Sequence, residues 1–139
     1  MKNILFLLVV TLPFMSSAQS QADYEHTVAK FMKFYNANQP DSICSQYSDE
    51  WGEAKKTLWT KEKTDDIKKR YGKMISYKFL DLYNDGTGDG GGSGLAFFKT
   101  KFEKSTHIMG ITLNKKNELL TFRFKTTSPH IDSLLAANK

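Results

Sequence analysis

The side chains able to do chemistry in this chain are few: three histidines (His26, His107, His130), one cysteine (Cys44) and an acid-glycine tract at 85–92. Asp85, Thr87 and Asp89, followed by Gly90, match positions 1, 3, 5 and 6 of a calcium-binding loop. The twelfth position, which should be a bidentate Glu, is Ala96, and the flanks alternate like strands, so no helix brackets the tract. A Gly-Lys-Ser/Thr ending is also missing, so it is no phosphate loop. The tract reads as a flexible hairpin loop, and no metal or other cofactor is expected.

The histidines share no ligand spacing. Asp81 on the first strand and His107 on the third face the same apolar side by parity, which raises an acid–base pair. The expected register sets Asp81 beside Ala96 and His107 beside Phe102, six residues apart, or about 20 Å. They are not a dyad. Singly, Asp81 reads as a strand-end carboxylate bonded to loop amides, and His107 as a spacer beside Phe102. Cys44 has no partner for an internal disulfide, and Ser42, Ile43, Ser45 and Gln46 bring no positive charge to activate its thiol, so it reads as a small buried hydrophobe. Nucleophile-elbow serine, zinc and dinucleotide motifs are missing too, so no catalytic residue and no metal ligand are assigned.

The elements that must position any site follow from the periods. Residues 1–18 carry Lys2, an apolar run over 4–14 and the small residues Ser16-Ser17-Ala18, the layout of a cleavable secretory signal peptide. Export to the periplasm or the extracellular space is expected, with cleavage after Ala18. Gln19 stands where a lipoprotein would have cysteine, and no other apolar run is long enough to span a bilayer. Tyr24, Val28, Phe31 and Tyr35 predict a helix over 22–36, and Pro40 opens a short one containing Ile43 and Tyr47. Thr60 caps a third that stops at Gly72. Residues 48–59 have no clear period, and Trp51, Leu58 and Trp59 there are expected to cap the core.

Beyond Gly72 the period becomes two. Strands are expected over 74–83, 95–103, 106–114 and 118–126, with inward faces Ile75, Tyr77, Phe79, Tyr83; Ala96, Phe98, Thr100, Phe102; His107, Met109, Ile111, Leu113; and Leu120, Phe122, Phe124. A two-residue turn at 104–105 pairs Phe98 with Ile111 and Phe102 with His107; a turn at 115–117 pairs Leu113 with Leu120 and Ile111 with Phe122. The predicted fold is α+β: N-terminal helices packed on a curved antiparallel sheet, a four-strand meander, at 22–126. Residues 127–139 form a tail or a short helix led by Ser128 and Pro129. With 20 Lys and Arg against 15 Asp and Glu, the net charge of +5 is modest and spread along the chain. The basic cluster Lys68, Lys69, Arg70, Lys73 suits a helix C-terminus, so no nucleic-acid partner is expected.

Residues 31–35, the junction at 71–75, and 95–102 and 109–124 resemble the cystatin-like α+β roll, the superfamily of nuclear transport factor 2, ketosteroid isomerase and limonene epoxide hydrolase. The chain resembles, more narrowly, a bacterial family of small exported domains of unknown function within it. The resemblance implies a sheet curled around a conical cavity used for catalysis, ligand binding or dimerisation, and the fold alone does not choose. Enzymatic members carry polar groups inside the cone, whereas this inner face is mostly aromatic and aliphatic. The leading expectation is non-enzymatic binding of a small apolar ligand or a protein partner through Tyr77, Phe79, Phe98, Met109, Phe122 and Phe124. The alternative is a small isomerase or hydrolase using Asp81 or His107. Homodimerisation through the outer sheet face is a third reading, opposed by Lys99, Lys101, Arg123 and Lys125.

Overall fold

A computed structural model of the chain describes residues 19–83, 94–124 and 129–137. The leader at 1–18, the calcium-like tract at 85–92 and Lys125 lie outside them. Helix α1 (Gln21–Asn36) starts where the Asp23 carboxylate accepts the Ser20 N–H at 2.8 Å and the Ser20 hydroxyl at 2.9 Å. Those bonds hold the Asp23 carboxyl below the usual carboxylate range. Its buried stripe is Tyr24, Val28, Phe31 and Tyr35, as the spacing requires.

A short α2 (Pro40–Cys44) follows with Pro40 in its first turn. Next come a 3-10 segment (Asp49–Ala54), α3 (Lys55–Leu58) and α4 (Lys61–Tyr71). The Thr60 hydroxyl caps α4 by accepting from the Lys63 N–H at 3.1 Å. Gly72 ends it at φ +78°, where a Cβ would stand 2.7 Å from the Cβ of Glu103; both conformation and space demand glycine.

Strands β1 (Met74–Tyr83), β2 (Leu95–Phe102), β3 (Thr106–Leu113) and β4 (Leu119–Phe124) form one antiparallel sheet in the order β1-β2-β3-β4. Tyr83 pairs with Leu95, so the glycine-rich tract joins neighbouring strands. The fold is therefore α+β, with helices packed against a four-strand meander. The core lies between α1 and the inner face: Tyr24, Val28, Phe31 and Tyr35 meet Ala96, Phe98, Phe102, Met109, Ile111 and Leu113. Each large apolar side chain buried there contributes about 1.5–3 kcal/mol. Helix α5 (Pro129–Ala137) sets Leu135 against Phe97 and Ile108, a second cluster on the opposite face.

Hydrogen bonds tie the helical layer to the strand ends. The Asn36 side chain donates to Met74 O at 2.8 Å and accepts from Met74 N–H at 2.9 Å, copying a strand partner at the β1 edge. The Tyr35 hydroxyl donates to Gly72 O at 2.8 Å, and the Tyr24 hydroxyl to Gly94 O at 2.7 Å.

Three expectations are corrected. The β2–β3 register is shifted by two residues: Thr100 pairs with His107 and Phe98 with Met109. The turn widens because Glu103 N–H donates to Lys73 O and Lys104 N–H to Tyr71 O, both at 3.0 Å, so these residues bond to the α4–β1 junction instead of extending the hairpin. A shift of two keeps every side chain on its expected face. In β1, irregularities between Met74 and Ser76 and between Phe79 and Asp81 break the alternation. Ile75 and Tyr83 are exposed at 53% and 49%, while Met74, Tyr77, Phe79 and Leu82 pack on the core. In β4 an irregularity beside Leu113 brings Leu119, not Leu120, opposite it and into the core.

Candidate functional site

The inner face ends in two different ways. Beneath α1 it is filled, and Phe98 and Met109 are fully buried. Beyond Phe31, whose ring centroid lies 4.1 Å from that of Phe122, the helical layer and β4 enclose an open groove of about 370 Å³. One wall is Leu58 and Trp59 from α3 and its end, with Lys63 and Ile67 from α4; the other is residues 120–124 of β4. Tyr47 and Trp51 complete the lining.

Local bonding explains why the groove opens there. The outer edge of β4 is occupied at its start: Leu119 N–H donates to Gln46 O at 2.8 Å and Ser48 N–H to Leu119 O at 2.9 Å. The Trp51 indole N–H then donates to Leu120 O at 3.0 Å. Five consecutive β4 residues line the groove, and since alternate side chains point to opposite faces, the surface they share is the strand edge. Trp59 is pinned from two sides. Its indole N–H donates to the Tyr47 hydroxyl at 3.0 Å, and its carbonyl accepts from Cys44 Sγ at 3.3 Å. Burial pushes the Tyr47 phenol up to about 12, so its hydroxyl stays neutral well above neutral pH. Cys44 is buried, the position read from sequence.

Of the six residues expected to bind, Phe122 and Phe124 line the groove. Phe98 and Met109 are core. Tyr77 and Phe79 are half-buried further along the same face, each edge-on to Phe98 at 6.0 and 5.5 Å between centroids. Lys63, Ile67 and Tyr47 were not anticipated in this role, and Trp51, Leu58 and Trp59 only as a cap. The available signal was the placement of both tryptophans of the chain in a segment without a period.

Neither Asp81 nor His107 lines the groove. The β1 irregularity sets Asp81 opposite Phe97, where its carboxylate accepts the Leu82 N–H at 2.9 Å. The corrected register leaves Asp81 and His107 three positions apart along β2, about 10 Å instead of 20 Å, with that strand between them. The His107 ring centroid lies 4.4 Å from that of Tyr71, with the two planes tilted by 59°, and its Nε2 lies 2.8 Å from the Ser105 hydroxyl. Among the described residues no three His, Cys, Asp or Glu side chains gather to hold a metal ion, and no helix is long and apolar enough to cross a membrane.

No protein-family model, curated protein or solved structure matches the chain.

Proposed function

We propose that this chain is an exported, non-enzymatic binding domain of the cystatin-like type, and that it takes a small apolar ligand in the groove between α3–α4 and the β4 edge. The observation that carries the reading is the groove itself. Its volume of about 370 Å³ exceeds the roughly 300 Å³ at which ligand sites begin. Its lining is dominated by Trp51, Leu58, Trp59, Ile67, Phe122 and Phe124, side chains that recognise by area and shape. Among the described residues the lining holds no Asp, Glu, His, Cys or Ser, which favours binding over acid–base or nucleophilic chemistry.

Binding is directly readable because both tryptophans border the site. Titration with 1-decanol is expected to shift tryptophan emission saturably. Ile67→Phe, which adds a ring to one wall, is expected to weaken the effect at least severalfold. Emission that does not respond to the alcohol, or responds equally in the variant, refutes the assignment.

A further inference from the structure

One wall of the groove is not satisfied by apolar contact alone. Beyond Leu120 the outer edge of β4 is a row of backbone groups, and among the described residues no strand pairs with it. Pairing with β3 is regular from Thr121 opposite Thr112 to Phe124 opposite Met109. Alternate residues of 121–124 therefore spend their N–H and C=O on β3, and the other two turn theirs outward. These donors and acceptors stand along about 14 Å of strand beside the apolar lining. The far edge of the sheet is protected against a further strand. There β1 carries two irregularities, and the Asn36 side chain takes both the N–H and the C=O of Met74. The β4 edge has a comparable cover only at its start, where Gln46 O and Ser48 N–H bond Leu119 and Tyr47 runs parallel to it. Extended backbone thus already lies on this edge, and it leaves where the 3-10 segment begins at Asp49.

We infer that the ligand is an extended peptide segment that adds a strand to the outer edge of β4. Its backbone pairs with residues 121–124 and continues the line that residues 46–48 begin. Every second side chain then points to the inner face, against Trp59, Ile67, Phe122 and Phe124, so the groove selects apolar residues at alternate positions. The inference rests on the proposed binding groove and names the class of its ligand: the small apolar group is a side chain carried on a peptide backbone. An alkyl chain would fill the apolar lining and leave the edge groups unpaired. A second copy of the chain fits less well. Two-fold pairing of β4 with β4 on this edge sets the two exposed Arg123 side chains on one face, opposite or diagonal to each other, and like charges so placed repel.

The test compares acetyl-Ser-Val-Thr-Leu-Thr-Val-Ser-amide with the same peptide N-methylated throughout, which keeps the side chains and removes the backbone donors. Binding is followed by tryptophan emission, and amide exchange by nuclear magnetic resonance. The unmodified peptide is expected to bind saturably and to slow exchange at alternate amides among residues 121–124 by about tenfold or more. N-methylation is expected to weaken binding by about tenfold or more, the scale of two lost ladder bonds. Equal binding of the two peptides, or binding without new protection along β4, overturns the inference and leaves an apolar groove standing. Binding of 1-decanol but of neither peptide has the same meaning. No binding by any of the three overturns the proposed role and the inference together. Protection of these amides in the protein alone, rising with its concentration as dimer appears in sedimentation, assigns the edge to a second copy and overturns the inference as well.

Discussion

Phe98 and Phe122 occupy the same face of the same sheet, two strands apart, and meet different fates. Phe98 lies under α1 and is fully buried. Phe122 touches α1 through Phe31 on one side and borders the groove on the other. The difference comes from the covering layer. One long helix with a continuous apolar stripe fills the space over β2 and β3, whereas β4 is faced by two separate helices, α3 and α4, and by Trp51 from the 3-10 segment that Gly52 interrupts at φ +52°. A single long helix makes a core, and a layer assembled from separate helices leaves a site.

The comparison can be broken first with alkali. Tyr24 and Tyr35 on the buried stripe of α1, and Tyr47 on the groove wall, all have phenols pushed up to about 12 by burial. The unfolded value is about 10. Folding therefore favours the neutral phenol; this contribution is complete below about pH 10 and is lost as pH rises through 12. Circular dichroism should show cooperative unfolding in that window. The absorbance difference between the parent protein and Tyr47→Phe should show Tyr47 ionising with that transition. If Tyr47 ionises near pH 10 in the folded protein, the groove wall is wet and the two regions are less alike at their base than described.

Truncation sharpens the contrast. Phe98→Ala should cost about 3–5 kcal/mol by chemical denaturation, the range for removing a buried aromatic. Phe122→Ala should cost only about 1–2 kcal/mol, because part of its ring already borders solvent. Equal losses would mean that the groove is closed in solution. An effect close to that of Phe122→Ala is expected at the α4–β1 junction. Gly72→Ala should cost about 2 kcal/mol, from the positive φ and the collision with Glu103. A change within 0.5 kcal/mol would show that the α4–β1 junction is looser than the bonds from Glu103 and Lys104 imply.

What could be read from sequence divides along similar lines. The stripe Tyr24, Val28, Phe31, Tyr35 and the alternation from Ala96 to Phe102 are strong periods, and Pro40, Thr60 and Gly72 act through local backbone chemistry, so these elements were legible. The β1 irregularities were not, because Phe79, Leu80, Leu82 and Tyr83 put large apolar groups on both parities and no period decides between them. The Leu119-Leu120 doublet hid the β4 irregularity in the same way. The β2–β3 register depends on bonds from Glu103 and Lys104 to residues 71–73, which turn length alone does not encode. The groove was least legible: its tryptophans were visible, but their positions depend on the Gly52 break and on nonlocal bonds to Tyr47, Cys44 and Leu120.

The most direct test of the central claim is amide chemical-shift mapping by nuclear magnetic resonance with 1-decanol as the ligand. Saturable changes are expected at Leu58, Lys63, Ile67, Phe122 and Phe124, with Tyr77 and Phe79 unmoved. Changes centred on Tyr77 and Phe79, or none at all, would contradict the account.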